Sequence, residues 1–163
     1  MVLHLNKKGQ SSIEFVLLLV VLLVFIQVVI VPAVNTSQDA ATDVARLGQA
    51  KLAAQQLADA INLVGSSSEG ARQTVHIILP NDSSIVCNSS PASVTFSSRL
   101  DSNAGFEGKS QCVASTHVCQ STISVNTTSL SCIPSLMEGK RSFALRVEKA
   151  TGGVVNVSEA PTP

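Results

Sequence analysis

The chain has 163 residues with 11 basic and 11 acidic side chains, so it is neutral overall. There is no basic run beyond its first residues, and it has five Phe with no Trp or Tyr, which argues against a nucleic-acid interface or an aromatic sugar platform. Low charge and a Ser/Thr content of about a fifth suit an anchored, extracellular β-rich head better than a cytosolic enzyme.

The first element in chain order is Lys7-Lys8-Gly9-Gln10-Ser11-Ser12-Ile13-Glu14-Phe15, followed at once by an apolar run. An ordinary secretory signal is cut after its apolar region, near small residues. Here Gly9 lies before that region, so a cut behind it removes residues 1–9 and leaves the apolar helix on the mature chain. Gly9 also keeps the scissile backbone uncrowded, and Lys7 and Lys8 favour an inside N-terminus.

Gly9, Gln10, Ser12, Glu14 and Phe15, in that order and ahead of an apolar helix, resemble the class III signal peptide of archaeal type IV pilin-like proteins. The resemblance implies cleavage between Gly9 and Gln10 by a membrane prepilin peptidase. It further implies assembly of the mature subunits through their N-terminal helices into an extracellular filament for adhesion or surface attachment. The partners it implies are the membrane, the peptidase, a pilus assembly platform with its ATPase, and copies of this chain or other pilins. No cofactor is implied. A second, weaker likeness runs from Leu57 to Pro80, which is similar to the helix-to-first-strand junction of that family.

Residues 10–31 read as a transmembrane or filament-core helix. From Phe15 to Val31 the one polar side chain is Gln27. As a helix this stretch spans about 26 Å, the low end for a bilayer, and it is apolar on every face. Pro32 predicts a kink or short break. Residues 32–64 then read as an amphipathic helix, with Val44, Leu47, Ala50, Ala54, Leu57, Ile61 and Val64 at spacings of three and four. The stripe suits a sheet better than a coiled-coil seam, because it is short and rich in alanine. Asp39 and Asp43 fit an early helical position near the dipole's positive end, and Gly65 with the serines after it predicts the stop.

Residues 70–163 read as the β-rich head. Thr74–Leu79, Ser93–Phe96 and Thr122–Val125 are strand-like, with a turn at Pro80-Asn81-Asp82. Phe143–Val147 and Val154–Val157 form a predicted hairpin across Gly152-Gly153, with Phe143, Leu145 and Val147 facing the helix stripe. The stretch from Ser97 to Gln111 reads as a surface loop, and Glu159–Pro163 as a frayed tail. The expected fold is α+β: a long N-terminal helix, apolar then amphipathic, packed on a small antiparallel sheet or β-sandwich.

Cys87, Cys112, Cys119 and Cys132 read as two disulfides outside the membrane, with all three pairings open. Cys112, His117, Cys119 and Cys132 as zinc ligands is the alternative, and it lacks Cys-x-x-Cys knuckles. No metal site is expected. Asn35, Asn81, Asn88, Asn126 and Asn156 each head an Asn-x-Ser/Thr sequon. His76 and His117 have no acid at a telling spacing, and the serines form no nucleophile elbow, so no catalytic residue is expected. Glu14 has two readings. It either answers the α-amine of a neighbouring subunit's Gln10, setting axial register, or is a helix-start acid helped by the dipole. Cyclisation of Gln10 to pyroglutamate would remove that amine, leaving Glu14 to the Ser11 and Ser12 hydroxyls. Two other functions remain open: a membrane-anchored binding protein with the same leader, and a soluble secreted protein cut after Ala33.

Overall fold

The computed structural model describes residues 7–101, 111–113, 115–132 and 142–160, with Lys7 to Ser12 described by backbone alone. The chain divides into two compact units, Met1–Asp39 and Ala40–Pro163.

From Lys7 onward the first unit is helical. Helix α1 (Lys7–Phe25) passes into a π-helical segment, Ile26–Ile30, and then into α2 (Val31–Ser66). The kink or break expected at Pro32 is therefore replaced by a continuous helix with a π-turn just upstream. A proline ring crowds the carbonyl four residues back, and the wider π-turn gives that carbonyl room. Its closing bond runs from the Val31 N–H to the Ile26 carbonyl. Downstream, the Thr36 hydroxyl donates to the Pro32 carbonyl and the Ser37 hydroxyl to that of Ala33.

In the second unit, α2 buries one face. Ala50, Ala53, Ala54, Leu57, Ala58, Ala60, Ile61 and Val64 are within the core, where the predicted stripe places most of them. Val44 does not follow the stripe; it is 60% exposed, and Asp43 is buried in its place. Asp43 fits the alternating four-and-three spacing through Leu47, Ala50, Ala54, Leu57, Ile61 and Val64, and Val44 lies one residue off it. The dipole reading of Asp39 and Asp43 also fails, because both sit inside α2 and not at its start. Gly65 stays in the helix, which ends at Ser66. The Ser66 and Ser67 hydroxyls donate to the Leu63 carbonyl, and Lys149 Nζ donates to the carbonyls of Gly65 and Ser67. These groups satisfy the orphan acceptors of the last turn.

Two four-stranded sheets complete the head. The first has the order β1 (Arg72–Ile78), β7 (Ser142–Lys149), β8 (Val155–Glu159), β6 (Leu130–Cys132). The second has the order β2 (Ser83–Ser89), β3 (Ala92–Arg99), β5 (Val118–Ser124), β4 (Cys112–Val113). All pairs are antiparallel except β6 with β8. Period-two alternation selects the inner faces. Phe143, Leu145 and Val147 are buried as expected, and Ile85, Val94 and Phe96 of the second sheet join the same core as Leu57 and Ile61. The architecture is α+β, a helix on two small antiparallel-rich sheets.

Ser97 to Arg99 continue β3 and Leu100 is buried, against the surface loop expected there; residues 102–110 lie outside the described residues. The serines on β3 are accommodated because Ser83 pairs with Ser98, and Ser84 with Ser97, hydroxyl to hydroxyl. At the other end, Glu159 closes β8 opposite Leu145, and the Ala160 N–H donates to the Ala144 carbonyl, so order extends past the predicted start of the frayed tail. Pro163 lies outside the described residues.

Candidate functional site

The candidate site is the apolar helix of the first unit. From Ile13 onward it is long and apolar enough to cross a membrane, and none of its apolar window is buried among the described residues. Phe15 is 66% exposed and Val28 67%, against 0% for Leu57 in the head. Such a helix is stable only where lipid or other apolar helices cover it. The long apolar N-terminal helix is compatible with membrane anchoring.

Glu14 stands exposed about two turns into α1. Its carboxylate precedes Phe15 and the aliphatic run, so burial of the run in an apolar medium would bring it to the edge of that medium. An acid there costs less than one at mid-bilayer. Gln27, also exposed, falls in the π-helical segment. Gly9 and Gln10 are adjoining positions on the backbone of α1; the side chains of Lys7, Lys8, Gln10 and Ser12 lie outside the description.

In the head, Cys112 and Cys119 are directly opposite on β4 and β5 and form a disulfide. Their sulfurs are committed to each other, which removes both from the zinc set weighed above. His117 lies in the intervening turn with a left-handed backbone (φ 54°), and its carbonyl accepts the Leu100 N–H. Cys87 and Cys132 are free thiols. His76 is exposed on the edge strand β1, beside Leu52 and Gln56 of α2.

All five sequon asparagines are exposed: Asn35 on α2, Asn81 in the β1–β2 turn, Asn88 on β2, Asn126 between β5 and β6, and Asn156 on β8. They differ in what surrounds the acceptor group. The Asn88 amide nitrogen donates to Ser93 Oγ at 3.4 Å and Thr95 Oγ1 at 3.3 Å. The Ser83 hydroxyl that completes the Asn81 sequon is buried against Ser98.

One polar cluster escaped the sequence reading. Asp43, fully buried, accepts the Asp101 N–H at 3.0 Å, and Arg46 donates to the Asp101 carboxylate. The extended heptad spacing through Asp43 was the available signal. A second pin, Asn62 Oδ1 accepting the Asn126 N–H at 2.7 Å, had no sequence signal, because its partners lie 64 positions apart. No protein family, curated protein or solved structure matches the chain.

Proposed function

We propose that this chain is the precursor of a type IV pilin-like structural subunit, cut after Gly9 and polymerised through its N-terminal helix into an extracellular filament for adhesion. The observation that carries this reading is the apolar helix left uncovered among the described residues. A self-sufficient head has no use for such a segment, whereas a subunit first held in a membrane and then packed among like helices needs it. The motif from Gly9 to Phe15 supplies the processing step.

In this reading Lys7 and Lys8 keep the leader on the cytoplasmic side and the head is exported. The peptidase hydrolyses the Gly9–Gln10 bond and frees an α-amine at Gln10. Glu14 of one subunit then meets the Gln10 amine of its neighbour. Withdrawn from water, that ion pair costs desolvation, so its contribution is register rather than net stability. The apolar contacts along Phe15 to Val31 hold the polymer together, assisted by the assembly platform and its ATPase. The role is structural, not catalytic.

Mass spectrometry of the mature N-terminus is the test. A start at Gln10 is expected; a start at Val34 points instead to a secreted protein, and an intact Met1 to a simple membrane anchor. Electron microscopy of shed material then separates filaments from a monomeric receptor. Glu14→Gln should leave cleavage and the head unchanged but reduce filament yield at least tenfold, read by the ratio of sheared to membrane-held subunit. Normal polymerisation of that variant would sink the ion-pair mechanism.

A further inference from the structure

The two sheets of the head approach each other along free edges: β2 is an outer strand of one, β6 an outer strand of the other, and the two lie in contact. Alternation then decides which side chains face inward. On β2 the inner face carries Ser83, Ile85 and Cys87, and the register sets Cys87 opposite the fully buried Val94. On β6 the inner face carries Leu130 and Cys132, with Cys132 opposite the buried Val157. Both cysteines are half-buried, both pack on the same core, and their thiols hydrogen-bond to each other. The remaining cysteines, Cys112 and Cys119, are already joined.

We propose that Cys87 and Cys132 form a second disulfide that staples the two sheets edge to edge, enclosing the Cys112–Cys119 bond in a nested arrangement. Sheet β2-β3-β5-β4 is an insertion between β1 and β6, tied to the frame sheet by residues 79–82 and 125–129. The staple adds a third tie and closes a loop of about 45 residues, long enough to restrict the unfolded chain strongly. It rests on the export of the head proposed above, and not on polymerisation.

The thiols are prepared unequally for the reaction. The hydrogen bond from Cys132 pulls the Cys87 thiol below its ordinary range, against the upward push of burial, while the same contact and burial push Cys132 up. Deprotonation of either thiol starts the exchange, here with Cys87 as the first nucleophile. Its thiolate attacks one sulfur of a protein disulfide oxidant outside the membrane; the oxidant's S–S bond breaks and its other sulfur leaves as a thiolate. Cys132 then gives up its proton to that thiolate and attacks the Cys87 sulfur. The mixed disulfide breaks and the oxidant departs as a dithiol. Across both steps two cysteine thiols lose two protons and two electrons, and the oxidant's disulfide gains them.

Full-length protein in detergent, alkylated with iodoacetamide without reductant and digested with trypsin, tests the pairing. Cleavage at Arg72, Arg99, Lys109 and Lys140 puts Cys87 on peptide 73–99 and the other three cysteines on 110–140. We expect those peptides joined and no alkylated cysteine. In a Cys112→Ser/Cys119→Ser variant the same linkage should persist, which identifies Cys132 as the partner. Adding dithiothreitol to that variant should lower its Tm by about 10 °C. Alkylated Cys87 and Cys132, a linkage between two copies, or an unchanged Tm would overturn the staple. Reading the N-terminus of the same sample separates the two proposals. A Gln10 start with reduced cysteines overturns the staple alone, and a Met1 start with the bond present overturns the processing step alone.

Discussion

Two helical stretches of this chain are both predominantly apolar and have opposite fates. Phe15 to Val31 is apolar on every face and exposes all its side chains but the half-buried Ile26, whereas Ala50 to Val64 is apolar on one face and buries it. A single apolar stripe can be satisfied by one neighbouring layer, which the two sheets of the head provide. An all-round apolar surface needs cover on all sides, and no single layer supplies that. The head therefore completes its own core, while the apolar window of the N-terminal helix finds no cover among the described residues.

The sharpest way to break the contrast is to remove the same atoms from both stretches. Leu57→Ala should destabilise the head by about 2–5 kcal/mol, because Leu57 is wholly enclosed. Leu18→Ala should leave the head's unfolding midpoint in detergent, followed by far-UV circular dichroism, unchanged. An equal loss from both would end the distinction. A charge probes the other side: Leu22→Arg should cost about 2.5–3.5 kcal/mol of insertion. Membrane fractionation should then find much of the variant outside the bilayer, with its head still folded.

Smaller effects test how the head manages its polar interior. Asp43→Ala strands the Asp101 N–H and should cost about 1–3 kcal/mol, with faster amide exchange at Asp101. Asp43→Asn keeps an acceptor there and should cost less. Ser83→Ala leaves the buried Ser98 hydroxyl short of its partner and should cost about 1 kcal/mol. Adding Ser98→Ala should recover part of that loss, because both polar groups are then gone. A simple sum of the two losses would show that the hydroxyl pair contributes nothing as a pair.

The elements that sequence reasoning found are those with a strong period. The alternation of Phe143, Leu145 and Val147 and the three-and-four spacing from Leu47 to Val64 each report burial on one face, and both were legible. β2 was missed because Ser83-Ser84-Ile85-Val86-Cys87-Asn88-Ser89 is mostly polar. Its inward Ser83 is tolerated through pairing with Ser98, and Ser84 on the other face pairs with Ser97, which no local window reveals. Asp43 was misplaced for a related reason: its position fits the stripe, but its charge speaks against burial until the Asp101 backbone and Arg46 come into view. The apolar helix was legible as an element, while the π-turn before Pro32 was not, since a proline in a helical pattern ordinarily argues for a break.

Composition and period alone determined that this chain has an apolar helix of membrane length, an amphipathic continuation and a β-rich head, because these follow from which residues water excludes. Tertiary structure alone decided which partners meet. Cys87 and Cys132 face each other because edge strands of two different sheets come together, and Asp43 is satisfied by an amide 58 positions away. Long-range contacts of this kind depend on how the layers close over one core, and local sequence carries no record of that closure.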